Sequence, residues 1–319
     1  MTAHPAAGAL EAVHFLVGMS RCGITPIARC LNSHSQIAVF GESRFWGRQY
    51  VKPKHSAGYG DEELAVIRNR LLAFRWRATV GAGPGCLRLS LPELRSLLAE
   101  VFAEARPPVR PGELFRTIAE RIGAAEGKTL ILEKTPNHLA AVHRIVAELP
   151  QASFVVLLCD PYVFVRCHRE SGVIDHPLAA AILWRGYVRA YERARRKHPE
   201  RLVVVRLEEL AASPQEVLER VQRRLRVPVE DITASLRYPG SQLPSVARHG
   251  ARGAELFWVN FVAGRIMKRH GYEPVTAPFA PLAVGRSLLT LGPWMVVLVR
   301  DYGGKRLRRL PGLLQWIRD

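Results

Sequence analysis

Acidic side chains are the scarce class in this 319-residue chain: 28 Asp and Glu stand against 46 Lys and Arg, a formal net charge of +18. So few carboxylates disfavour a cationic partner. They favour an anionic one: a nucleotide, a nucleic acid, an acidic substrate or a lipid surface. Zinc-finger spacing and RNA-binding aromatic signatures are also missing, and the arginines are scattered, which argues against nucleic acid. Cysteine is sparse. Five occur, at positions 22, 30, 86, 159 and 167, and no two are spaced C-x-x-C. That argues against a zinc site or a thioredoxin-like redox motif, and no metal is expected. The opening MTAHPAAGALEAVHF lacks the basic start and long apolar run of a secretory leader. With an odd number of thiols, the expected compartment is a reducing cytoplasm. Long unbroken apolar runs are missing as well. The best candidate, FAPLAVGRSLLTLGPWMVVLV, is interrupted by Pro281, Arg286 and Pro293 and makes a poor membrane span. Trp294, Trp316 and the KRLRR cluster leave two readings of this tail. One is peripheral contact with a membrane surface, and the other is a terminal helix docked on the body.

What the chain does have is alternation. Short apolar runs at 13–17, 37–40, 129–132, 154–158 and 202–206 are separated by helical patterns at 23–31, 137–148 and 178–197. A further helix is expected from Ser213 to about Leu225, and another over 254–270. Strands alternating with helices imply an α/β fold, a central parallel sheet covered on both faces. Residues 46–128 are rich in Arg, Gly and Pro, with helical patterns at 61–76, 91–105 and 112–125, and read as a helical insertion. A Ser/Arg/Gly-rich stretch before Gly253 reads as a flexible loop. The expected organisation is one α/β domain over 1–273 and a basic, apolar tail over 274–319. Four polar segments, 18–25, 41–46, 133–138 and 159–169, each follow an apolar run. They should converge at the carboxyl ends of the strands, where such sheets bind ligands.

The first of these segments, GMSRCGIT, nearly matches the phosphate-loop pattern G-x-x-x-x-G-K-[ST]. Gly18, Gly23 and Thr25 fall on the spacing. Ile24 holds the lysine position, and a cation appears three residues earlier at Arg21. Pro26 suits the first turn of the helix that follows. The N–H groups of this turn can cradle a phosphate without the lysine. In GESRFW, Glu42 sits just past a strand end, where a carboxylate can take a proton, or can merely pair with Arg44 or cap a helix. In EKTPNH, Lys134 follows a strand, Thr135 or Asn137 is the expected helix cap, and Glu133 is a candidate second carboxylate near an acceptor.

The stretches 13–45 and 129–273 resemble the sulfotransferases that use 3′-phosphoadenosine 5′-phosphosulfate (PAPS). VHFLVGMSRCGITPIARCLNSHSQIAVFGESRFW is similar to that family's opening motif. LILEKTPNHLAAVHRIVAELPQASFVVLLCDPYVFVRCHRES is similar to its second. GES-R is similar to the GEE-R of the tyrosylprotein branch. The resemblance implies a phosphate-loop-like three-layer fold and sulfonate transfer from PAPS to a hydroxyl of a small-molecule, lipid or glycan acceptor, with 3′,5′-ADP as product. It implies Glu42 as general base, with Arg21 and Lys134 stabilising the bridging oxygen. Gly18, Arg21, Cys22, Gly23, Ile24 and Thr25 would hold the 5′-phosphate, and Arg44 and Phe45 would meet the acceptor. Cys159 and Cys167 stand where the family carries the Arg and Ser that grip the 3′-phosphate, and Arg248 is a candidate for a late basic loop over the cofactor. Two other readings stay open. One is a sulfotransferase-like fold that binds without catalysis, favoured by Cys22, Ile24, Cys159 and Cys167. The other is a nucleotide kinase or hydrolase, for which FVVLLCD would supply a magnesium-binding Asp.

Overall fold

The computed structural model describes residues 13–74, 76, 87–236, 253–276 and 280–290. Five strands form its centre: β1 (Val13–Gly18), β2 (Ile37–Phe40), β3 (Leu130–Lys134), β4 (Phe154–Leu158) and β5 (Leu202–Arg206). All pairings are parallel, in the order β2-β3-β1-β4-β5. The first four strands are buried along their whole length. That burial is why they read as continuous apolar runs rather than alternating ones. Only β5, at the sheet edge, alternates between buried and half-buried residues.

Helices flank the sheet, beginning with α1 (Ile24–Ser33). The insertion between β2 and β3 supplies α2 (Asp61–Ala73), α3 (Leu91–Glu104) and α4 (Pro111–Glu126), as the periodicity predicts. Ser90 and Glu93 cap α3 reciprocally. The insertion is part of the main core. Phe115 of α4 lies 5.7 Å from the ring of Phe15 in β1 and 6.1 Å from that of Phe40 in β2. After β3 comes a 3-10 turn (Pro136–Ala141) and then α5 (Val142–Glu148), where the sequence predicts one helix. Next are α6 (Pro161–Glu170), the long α7 (Pro177–Lys197), a short α8 (Leu207–Ala212) that the sequence reading missed, and α9 (Pro214–Leu225). Among the described residues the last two helices are α10 (Ala254–Arg269) and α11 (Pro281–Leu289).

α11 belongs to the tail and is docked. Val284 clusters with Leu178 and Trp258, and Ser287 accepts hydrogen bonds from Trp258 Nε1 at 2.9 Å and from His176 Nε2 at 2.8 Å. Trp294, Trp316 and KRLRR lie outside the described residues. Among those residues no helix is long and apolar enough to cross a membrane.

Two glycines set how tightly the strand ends meet. A Cβ on Gly18, at φ +121°, would sit 2.2 Å from the carbonyl oxygen of Leu157 in β4. A Cβ on Gly41 would sit 2.1 Å from that of Lys134 in β3. Contacts this short are impossible, so only glycine lets the loops after β1 and β2 press against the neighbouring strands.

Candidate active site

The loop after β1 turns between Gly18 and the first residue of α1. Its backbone is fixed by the Met19 amide, which donates to Leu157 O at 2.9 Å. Arg21 and Gly23 both adopt positive φ, 65° and 88°. Gly23 occupies the N-cap position with no side-chain cap, so the amides of the first turn are met by no capping side chain. Uncapped amides at the positive end of a ten-residue helix suit an anion. Arg21 and Thr25 are exposed on this edge, whereas Cys22 and Ile24 point inward.

Ser20 ties the loop to three other elements. Its Oγ lies 3.2 Å from His168 Nε2 in α6 and 3.4 Å from the Tyr187 hydroxyl of α7. That hydroxyl donates to Asn137 Oδ1, just past β3, at 2.6 Å. His168 donates through Nδ1 to Phe164 O at 3.0 Å, so Nε2 is left to accept from Ser20. Burial lowers the His168 imidazole to about 4, against the pull of the Phe164 carbonyl and with help from Arg21.

Beyond β2 and β3 the charged groups gather. Lys134 is buried, and its Nζ donates to Glu42 Oε1 at 3.2 Å. The other carboxylate oxygen of Glu42 lies 3.8 Å from Arg44 Nη2. Glu42 keeps 27% of its side chain exposed, between the buried Lys134 and the half-buried Arg44. Arg44 adopts φ 52°.

The segment carrying Glu42 is held by Glu133, which is fully buried. Glu133 Oε1 accepts from Ser43 N at 3.0 Å, Ser43 Oγ at 2.7 Å and Thr135 Oγ1 at 2.6 Å. Its Oε2 faces His138 Nδ1 at 2.9 Å. The Trp46 amide donates to His138 Nε2 at 3.2 Å, so the ring proton sits on Nδ1 and is given to Glu133. Burial alone would push the Glu133 carboxyl up. Its contacts with His138, Thr135 and Ser43 outweigh this and hold it below the usual carboxylate range. Glu133 is therefore a buried hub and not a second carboxylate facing an acceptor. Thr135 holds the N-cap position of the 3-10 turn but makes no side-chain cap bond, and Asn137 lies inside the turn. Thr135 Oγ1 bridges Glu133 and the Arg44 amide, and Asn137 serves Tyr187.

The corner after β4 is different in kind. Cys159 and Cys167 were expected at a cofactor, but they are 0% and 3% exposed. Both hydrogen-bond with Cys22 from the phosphate loop, and Cys159 Sγ lies 3.7 Å from Met19 Sδ. Burial pushes the thiols of Cys22 and Cys159 up, the latter to about 12. Cys167 rises through its hydrogen bond with Cys22 and through burial. A thiol so disposed is a poor nucleophile. Asp160 is 1% exposed and caps α6 by accepting from Tyr162 N at 2.8 Å. It is spent on the helix rather than presented to a metal. Among the described residues no group of three or more His, Cys, Asp or Glu could hold a metal ion.

Phe45, expected at the acceptor, packs inward, 1% exposed, with its ring 4.9 Å from Phe115 and 5.1 Å from Trp46. Arg248 lies outside the described residues. Ser43, His138 and Tyr187 were not anticipated as site residues, and His168, a candidate for reaching the 3′-phosphate, instead holds Ser20 and the Phe164 carbonyl. The spacing of Glu133 and His138 across a 3-10 turn was a usable signal. Nothing local marked Tyr187, which arrives from a helix 50 residues away.

Three comparisons bear on this arrangement. The model of the sulfotransferase family matches residues 14–231, more than half of the chain. Among curated proteins no significant sequence match is found. Solved structures with a similar fold include the sulfotransferase domain from the curacin biosynthetic pathway, with 16% identity, a TM-score of 0.51, and 84% of this chain and 100% of that one covered. Another is the sulfotransferase domain of the Synechococcus PCC 7002 olefin synthase, with 17% identity, a TM-score of 0.45, and 90% and 96% covered. A third is a sulfotransferase from Alicyclobacillus acidocaldarius, with 15% identity, a TM-score of 0.44, and 82% and 97% covered. The likeness to the curacin-pathway domain, at 16% identity, speaks for the fold alone, the parallel five-stranded sheet flanked by helices, and the family match carries the further step: this chain belongs to the sulfotransferase family.

Proposed function

We propose that this protein transfers a sulfonate group from PAPS to a hydroxyl of an acceptor, with Glu42 as the general base. The observation that carries the reading is the Glu42–Lys134 contact of 3.2 Å at the carboxyl end of the sheet, with Glu42 part-exposed and Lys134 buried behind it. A base for the acceptor proton and a cation for the charge that develops on the leaving oxygen are the two demands of such a transfer.

The 5′-phosphate end of the donor fits the residues present. The uncapped first turn of α1 and exposed Arg21 and Thr25 would hold it, through amides that do not depend on the side chains of Cys22 and Ile24. Once bound, the donor supplies the sulfonate and leaves as 3′,5′-ADP. Glu42 takes the acceptor proton, and Lys134 and Arg21 offset charge at the bridging oxygen. The 3′-phosphate end finds less. Cys159 and Cys167 offer no charge, and the nearby Arg166 and Arg169 are engaged with Glu170 and Glu255 at 2.7 Å. That observation favours a second reading, a family fold that binds without turnover.

The experiment that separates them is calorimetric titration with 3′,5′-ADP beside 5′-AMP and ADP, followed by sulfonate transfer in wild type and Glu42→Gln. Binding that requires the 3′-phosphate, with transfer lost in the variant, supports the proposal. Transfer undiminished in Glu42→Gln removes Glu42 from the base role, and binding without any transfer supports the second reading. For localisation, the proposal is a cytoplasmic protein, with exposed Leu282 and Leu289 on α11 supporting peripheral membrane contact of the tail.

A further inference from the structure

Beside the Glu42–Lys134 pair opens a cavity of about 190 Å³, lined by Arg44, Arg48 and Arg144, with Trp46, Thr135 and Asn137 among its walls. Three arginines line this space, and no carboxylate is among its described lining residues. The nearby carboxylates are engaged: Glu133 in its buried hub, Glu42 with Lys134 and with Arg44, and Glu148 with Arg110 at 3.5 Å. The lining is therefore cationic and neutral, without an acidic side chain of its own.

The arginines are held in place. Arg144 donates through Nη1 to Trp46 O at 3.0 Å and stacks over the Tyr50 ring at 4.1 Å. Arg44 lies over Phe74 at 5.7 Å, and its Nη2 reaches Glu42. Asn137 spends its carbonyl oxygen on Tyr187, which leaves its amide NH₂ as a donor. Planar guanidinium forks match carboxylate and phosphate geometry. The volume is below the range of about 300–1,000 Å³ that accommodates drug-sized ligands, so it suits a head group rather than a whole molecule.

We infer that this cavity is an acceptor subsite for an oxyanion, a phosphate or carboxylate carried by the acceptor itself. Arg44 both lines the cavity and touches Glu42, so an anion seated there places the rest of the acceptor next to the base. The same contact screens the anion from the Glu42 carboxylate. The acceptor is then a hydroxyl compound bearing a negative charge a short distance from that hydroxyl. Only the role of the hydroxyl rests on the sulfonate-transfer reading, and the anion site stands on the cavity.

The test is calorimetric titration of the full chain with glycerol 3-phosphate, glycerate and glycerol. Wild type is compared with Arg48→Glu and with Arg116→Glu, a matched charge change on an exposed position of α4 that does not line the cavity. Arg48 is exposed, so its substitution spares the core. The expected result is saturable binding of at least one of the two anions and none of glycerol. Affinity should fall at least tenfold in Arg48→Glu and less than twofold in Arg116→Glu. Absent binding, or binding unmoved by Arg48→Glu, overturns the inference. Titration of the same proteins with 3′,5′-ADP keeps the two readings apart. If 3′,5′-ADP fails to bind while Arg48-dependent anion binding persists, the anion site stands and sulfonate transfer from PAPS falls. Phosphatidylglycerol vesicles, with and without saturating glycerol 3-phosphate, distinguish the source. Arg48-dependent vesicle binding that the soluble ester displaces assigns the anion to a lipid headgroup. Soluble binding without such displacement assigns it to a soluble acceptor.

Discussion

The corner after β3 and the corner after β4 lie on either side of β1, and they are built from opposite chemistry. After β3, a buried lysine, a part-exposed carboxylate and a carboxylate–histidine hub are joined by hydrogen bonds. After β4, three buried thiols and a thioether face one another, and Asp160 is turned to its own helix. The difference teaches where side chains are needed. The backbone amides of the loop between the two corners can hold a phosphate whatever stands at positions 22 and 24. Proton transfer and leaving-group charge require particular side chains, and the proposed ones, Glu42 and Lys134, meet on the β3 side. A second phosphate grip would also require side chains, and on the β4 side thiols fill the place.

The comparison is broken most severely at Glu42. Replacing it with Gln removes the proposed base while keeping the shape, and turnover, measured as 3′,5′-ADP release, is expected to fall by about 10²- to 10⁴-fold. Binding of 3′,5′-ADP should stay within about twofold, because the loop amides are untouched. On the other side of β1, site-resolved alkylation at pH 8 sharpens the contrast. Cys22, Cys159 and Cys167 are expected to react at least about a hundredfold more slowly in the native protein than in denaturant, since burial both shields the thiols and disfavours thiolate. Labelling at the rate of a free cysteine would show that the corner is open.

A smaller effect is expected at Glu133. Substitution by Ala strands the donors of Ser43, Thr135 and His138 in the interior. The expected loss is about 3–5 kcal/mol of unfolding free energy, read from denaturant melts. A loss below about 1 kcal/mol would mean that the hub does not hold the Glu42 segment. A further effect is graded with pH. His14 and His168 are both lowered to about 4, chiefly by burial, from an ordinary value of 6.5. Between those values the unfolded chain binds more protons than the folded one, so stability falls as pH drops from 6.5 to 4. The slope is up to about 1.4 kcal/mol per pH unit for each histidine. Thermal melts across that window should show the decline, and His168→Gln should make it shallower.

Much of the frame was legible in the sequence because it is local. The five apolar runs, the turn at Gly18 and Gly23, and the insertion helices each follow from neighbouring residues. The site was legible in part. Glu42 and Lys134 could each be picked out as polar residues following a buried strand, and their 3.2 Å contact follows from β2 and β3 being paired. Phe45 could not be assigned. Beside Glu42 and Arg44 it reads as an acceptor residue, yet the direction of its ring is set by Phe115, 70 positions later.

The sequence by itself determined that a parallel sheet would carry a glycine turn of phosphate-loop spacing, a carboxylate and a lysine to its carboxyl end, because strand and helix periodicity and turn chemistry act over a few residues. Only the tertiary structure decided which polar groups are structural. Glu133 lies inside because four donors converge on it from Ser43, Thr135 and His138. The three cysteines meet because β1 and β4 are adjacent, and Arg44, Arg48 and Arg144 gather around one cavity because the loop after β2 packs on the turn after β3. Burial and long-range contact fix those roles, and neither is a property of a short stretch of chain.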